Sequence, residues 1–146
     1  MIRIQPEDFD AAAETGALRA QAHGLGALAT FTGYVRGDDG LVSITLEHYP
    51  AMTEREIARH VEEAEKKWPL LGVCVIHRVG RLVPGEQIVF VGAASSHRAA
   101  AFEACEFLID YLKISAPFWK LEERAGEAHW VEARHSDDIR ATRWRR

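Results

Sequence analysis

Cysteine is scarce in this 146-residue chain: there are two, Cys74 and Cys105, set far apart in apolar surroundings with no CxxC pair. A disulfide scaffold, a zinc ribbon and a thioredoxin-type motif are therefore not expected. There is no excess of positive charge, since 18 basic against 22 acidic residues leave a net charge of −4, which argues against a dedicated nucleic-acid binder. No apolar run reaches the length of a membrane span, and the stretch Met1-Ile2-Arg3-Ile4-Gln5-Pro6-Glu7 has no charged-then-apolar signal layout. The expectation is a cytoplasmic protein without membrane attachment. With 11 Gly and 5 Pro in ordinary globular usage, collagen-like, low-complexity and disordered readings fall away. The phosphate-loop, dinucleotide and nucleophile-elbow motifs are missing, and the seven histidines show neither HExxH nor paired Cys/His spacing. No metal or cofactor is expected.

What is present reads as one α+β domain over residues 1–134 with a basic tail, 135–146. Residues 2–5 suit a short strand, and Pro6 can open a helix over 7–22 because an early helical position needs no amide hydrogen bond. Residues 26–36 and 42–49 flank the turn 37–40 and read as an antiparallel hairpin. A helix over 53–68 has Thr53 and Glu56 spaced as a capping box, with Ile57, Val61, Ala64 and Trp68 as its apolar stripe. Residues 73–82 and 87–94 form a strand pair about Pro84-Gly85, the centre of a type II turn. Ser95-Ser96 offer caps for a helix over 97–113, with Glu103, Glu106, Asp110 and Lys113 outward and Phe102, Cys105, Ile109 and Leu112 inward. A last hairpin joins 118–124 to 128–133. The architecture is helices packed on a mixed, mostly antiparallel sheet.

Three groups of residues could carry chemistry. His97 and Arg98 follow the serine caps at a helix start, where unpaired amides and the helix dipole favour an anion. The same pair equally fits an arginine turning into solvent beside a histidine bonded to a cap. Arg36 ends a strand between Gly33 and Gly37, where backbone can approach a ligand. Lys113 complements a helix C-terminus, and Lys120, which alternation places on the side of Phe118, could be tuned toward proton transfer by aromatic and cationic neighbours. His97 and Lys113 stand about 24 Å apart along one helix, at ~1.5 Å per residue. A site using both must draw on two copies of the chain.

Six motifs follow one another in the chain: Gly33-Tyr34-Val35-Arg36, Leu46-Glu47-His48-Tyr49-Pro50-Ala51-Met52, Ile76-His77-Arg78-Val79-Gly80, Ser95-Ser96-His97-Arg98, Asp110-Tyr111-Leu112-Lys113 and Ala116-Pro117-Phe118-Trp119-Lys120-Leu121-Glu122. On these, over residues 26–134, the sequence closely resembles the large, catalytic subunit of molybdopterin synthase. That resemblance implies an alpha/beta-hammerhead fold and a sulfurtransferase of molybdenum cofactor biosynthesis, acting on cyclic pyranopterin monophosphate. Sulfur would arrive as a thiocarboxylate on the Gly-Gly tail of a small ubiquitin-like subunit. Two large subunits would form a central homodimer, and a small subunit at each end would complete a heterotetramer. It further implies catalytic roles for Lys113 and Lys120. Substrate binding would fall to Tyr34, Val35, Arg36, His97, Arg98, Leu121, Glu122 and Arg134. Tyr34 stands where some members carry lysine, Leu121 where a basic residue is common, and the 37–40 turn is shorter than in many. Without the resemblance, the same cations also describe a non-catalytic dimeric binder of a phosphorylated metabolite.

Overall fold

Two strongly apolar stretches lie side by side at the centre of the computed structural model, which describes residues 1–125, 127–131 and 144. These are β4 (Leu70–Arg78) and β6 (Gln87–Ser95), paired antiparallel with Val75 opposite Val91 and Ile76 opposite Phe90. β1 (Ile2–Gln5) adds to β4 in parallel and β2 (Ala27–Tyr34) adds to β6 antiparallel, giving the order β1-β4-β6-β2. Both faces of this sheet are covered, which is why its central strands lack polar alternation. α2 (Pro50–Lys67) and α3 (Arg98–Ile114) cover Val73, Val75, Val89, Val91 and Ala93. On the other face α1 (Ala11–Gln21) contributes Leu18 over Cys74, Ile76, Phe90 and Ala94, with Phe9 beside it.

A second, wholly antiparallel sheet has the order β5-β3-β7-β8, from β5 (Gly80–Leu82), β3 (Leu41–His48), β7 (Phe118–Arg124) and β8 (Glu127–Val131). The α+β class and the predominance of antiparallel pairing therefore hold, but in two sheets. The expected 26–49 hairpin does not form: β2 pairs with β6 while β3 pairs with β5 and β7. The expected 73–82 strand is likewise divided, because Gly80 at φ 88° turns the chain out of the first sheet into the second. The Pro84-Gly85 turn is present, closed by the Glu86 amide donating to the Val83 carbonyl at 3.1 Å.

Helix boundaries show where local signals lost to tertiary ones. α1 begins at Ala11 with Asp10 as its cap, its carboxylate accepting from the Ala13 amide at 3.1 Å. α2 starts at Pro50, whose fixed φ suits a first helical position, so no Thr53–Glu56 capping box exists. Thr53 is instead fully buried, and its hydroxyl donates to the Pro117 carbonyl at 3.1 Å, tying α2 to the segment that leads into β7. On α3 the face assignment reverses at two positions. Phe102 is 67% exposed, whereas Asp110 is buried and accepts from the Trp144 indole at 2.5 Å. That indole packs edge-on against Trp68 and Phe107, with ring centroids 5.9 and 5.6 Å away. Arg134 and, apart from Trp144, the 135–146 tail lie outside the described residues.

Candidate active site

Where the C-terminal end of α3 meets the gap between the two sheets, a cleft of about 740 Å³ opens. Strand periodicity decides what faces it. On β7, Lys120, Glu122 and Arg124 share one face and line the cleft with Phe118, while Leu121 faces the other way, opposite Thr45 on β3. Facing Lys120 and Glu122 across the ladder are Leu46 and Ile44, which form the apolar floor. Lys113, in the last turn of α3, reaches the same space from above.

The opposite rim is the end of β2. Gly33 is required there: a Cβ at that position would sit 2.8 Å from Val89 Cγ1 and 3.1 Å from Phe31 Cε1. The ladder slips immediately after it, between Gly33 and Tyr34. Val35 is then buried, its amide donating to Glu86 O and its carbonyl accepting from the Gly85 amide, both at 2.9 Å. This clamp delivers Arg36 to the cleft, where its Nε lies 3.2 Å from Asp38 Oδ2. Tyr34 lines the same rim and is largely exposed.

Arg124 joins the two rims. Its Nη1 donates to the carbonyls of Asp38 and Asp39 at 2.7 and 2.8 Å, and its Nε and Nη2 donate to Glu122 Oε1 at 3.3 and 3.1 Å. The turn carrying Asp38 is thus held to the strand carrying Lys120. Sequence reasoning missed Arg124, although its i, i+2, i+4 spacing with Lys120 and Glu122 was there to find. It also missed His77, which β4 places in the cleft wall.

His97 and Arg98 are not part of this cleft. They stand exposed at the far end of α3, with His97 as the cap residue and its amide bonded to Ser95 Oγ at 3.2 Å. Ser95 and Ser96 do not cap the helix through their hydroxyls; these donate instead to Pro69 O and Gly24 O. Of the expected site residues, the structure brings together Tyr34, Val35, Arg36, Lys113, Lys120 and Glu122. His97 and Arg98 stay apart, Leu121 faces away, and Arg134 lies outside the described residues.

Neither thiol is poised to react. Cys74 and Cys105 are buried and unpaired, and burial raises both pKa values, that of Cys105 to about 11. Among the described residues no group of three His, Cys, Asp or Glu side chains could hold a metal ion, and no helix is long and apolar enough to cross a membrane.

Residues 4–115 match the family described as "MoaE protein". The molybdopterin synthase catalytic subunit of Pseudomonas aeruginosa is 53% identical over 146 residues, covering 98% of this chain and 97% of that one. A molybdopterin biosynthesis MoaE protein from Burkholderia ambifaria superposes with a TM-score of 0.87 at 49% identity, over 100% of this chain and 98% of that one. A Helicobacter pylori structure, described as a complex of subunits 1 and 2 of molybdopterin-converting factor, shares the fold with a TM-score of 0.77 at 21% identity, over 91% of each chain.

Proposed function

The chain belongs to the MoaE family, the catalytic subunits of molybdopterin synthase, and on that premise we propose how its cleft carries the reaction. The family's activity is the conversion of cyclic pyranopterin monophosphate into molybdopterin, a sulfur transfer. One observation supports the division of labour: Arg36, Lys113 and Lys120 converge on a single cleft while both cysteines are sealed in the core. The protein has cations to hold anions and no thiol to give. Sulfur therefore comes from outside, as the terminal thiocarboxylate of a small ubiquitin-like subunit.

That tail is extended and anionic, and the Lys113 and Lys120 ammonium groups receive it. At ~4 Å and an effective dielectric constant near 20, each contact with a carboxylate-like charge gains about 4 kcal/mol before desolvation. Attack by the thiocarboxylate sulfur on a substrate carbon, with that carbon's bond to an oxygen substituent breaking and the oxygen leaving with the bonding pair and taking up a proton, joins tail and substrate as a thioester. The lysines stabilise the charge that develops on its carbonyl oxygen, and water then releases the tail as a carboxylate, leaving sulfur on the pterin. Arg36 grips the substrate, with Tyr34 and Val35 forming the rim around it, and Glu122 keeps Lys120 in register.

His97 and Arg98 act in the cleft of a second copy, since one continuous helix separates them from Lys113. Arg134 joins them as a further cation for the phosphate, and Leu121 packs behind the lysine strand. The second sheet exposes Trp119 and Trp130, and the α2 cap residue Tyr49 packs edge-on against Trp119, apolar surface suited to self-association. The assembly is a homodimer carrying a small subunit at each end, working in the cytoplasm. Reconstitution with the thiocarboxylated small subunit and cyclic pyranopterin monophosphate tests this reading. Dithiolene product is expected, and it must vanish when the Gly-Gly tail is deleted. Product formed without the tail would refute external sulfur delivery.

A further inference from the structure

Along β4 the residues facing α2 and α3 are Val73, Val75 and then His77, so an imidazole continues an otherwise aliphatic row. It is 7% exposed, yet the row emerges at this point into the cleft wall. Its ring lies flat against Phe118, with centroids 4.1 Å apart and planes inclined by 21°, so it cannot swing freely. Its Nδ1 sits 2.8 Å from the Arg78 carbonyl, an acceptor, so Nδ1 carries the proton and donates. Nε2 is thereby left as a lone pair. It makes no hydrogen bond to a described residue, and His77 is part of the cleft lining.

The charged donors of the cleft do not themselves recognise the rest of a pterin, and the cleft carboxylates Asp38 and Glu122 are each engaged with an arginine. Arg36, Lys113 and Lys120 only donate, and they suit phosphate and thiocarboxylate. Arg36 already meets Asp38, and Arg124 already meets Glu122. A pterin ring presents several N–H groups, and each needs an acceptor once water is excluded.

Resting on the functional reading above, we infer that His77 Nε2 is a substrate-binding group of the cleft, a fixed neutral acceptor for an N–H of the pterin ring. Such an acceptor selects for the heterocycle rather than for the phosphate. It also keeps the ring edge-on to the wall that carries Phe118. Burial, with Lys113 nearby, keeps the imidazole uncharged, so it does not become a competing donor at neutral pH.

The test measures binding of cyclic pyranopterin monophosphate to the full chain by calorimetry, with inorganic pyrophosphate as a probe of the anion contacts alone. In H77F the stacking on Phe118 persists but the acceptor is gone, and the pterin Kd should rise roughly tenfold or more while pyrophosphate binding is unchanged. In H77Q, whose amide oxygen can stand near the Nε2 position, the Kd should stay within about threefold of the parent. Equal binding by H77F and the parent, or an equal loss in H77Q and H77F, overturns the inference. Failure of the unmodified protein to bind the pterin at all overturns the functional reading itself. A second measurement needs no variant: the Nε2 nitrogen-15 resonance of His77 should shift when the pterin is added and stay put with pyrophosphate. An unmoved resonance in the saturated complex also overturns it.

Discussion

Replacing Arg124 by alanine should separate binding from chemistry. The guanidinium makes two hydrogen bonds to Glu122 and two to the carbonyls of Asp38 and Asp39. Bonds to a charged group contribute about 1.5–3 kcal/mol each when buried. The two to the turn are exposed, and water replaces most of their value. The pair with Glu122 is better protected, with the side chains 25% and 12% exposed, so its loss leaves a half-sealed carboxylate. The net cost should be about 2–3 kcal/mol, or roughly 6–10 °C in Tm for a chain of this size. Freed from its clasp, the turn no longer positions Arg36, and KM for the pterin phosphate should rise about tenfold with kcat within about threefold. R124K retains the charge but not the fork, and should recover less than half of the lost stability. Thermal melts and steady-state kinetics on both variants are the assay. An unchanged Tm together with an unchanged KM for R124A would refute the claim that this arginine holds the rim.

K120A should lower kcat by roughly 10²–10⁴-fold while Tm moves by about a degree or less, because the side chain serves chemistry rather than packing; near-normal turnover by a folded variant rules out the role. Mixing H97A chains with K113A chains should restore part of the activity, since some mixed dimers contain one intact site; no recovery after demonstrated subunit exchange excludes a shared pocket. His77 also sets an acid limit on stability. Burial, and to a lesser extent Lys113 and His48, push its pKa down from 6.5 to about 4 against the opposing bond to Arg78. Below pH 6.5 the unfolded chain takes up a proton that the folded chain refuses, so this contribution is complete above 6.5 and lost as pH falls toward 4. It amounts to about 3 kcal/mol at most. Urea unfolding at pH 7 and 4.5 should show a shallower loss for H77Q than for the parent; parallel losses would assign the acid sensitivity to other groups.

The lining of the candidate site was legible in the sequence wherever strand alternation alone decides geometry, as for Lys120 beside Phe118. Partner choice between strands was not. Residues 27–34 and 41–48 look like a hairpin because the intervening turn is short, yet the clamp of Val35 on Gly85 and Glu86 sends the two strands into different sheets. Thr53 reads as a cap because a hydroxyl there suits a helix start, whereas the fold spends it on Pro117. Asp110 falls on a polar stripe by spacing, but its partner Trp144 is 34 residues away and invisible to any local window. His77 was passed over for the opposite reason: in an apolar strand a single histidine looks like filler until the cleft beside it is seen.

The chain passes from one sheet to the other five times, at β2–β3, β3–β4, β4–β5, β5–β6 and β6–β7. The two walls are laced together by covalent stitching, and no lone hinge lets them part like a jaw. On the proposed reading, ligands are therefore expected to fit a gap of nearly preset width, with turnover paced by entry at the rim instead of by domain closure. A single backbone cut in the 83–86 turn would loosen that lacing while leaving most of the strand pairing intact, and should cost activity well before it costs secondary structure.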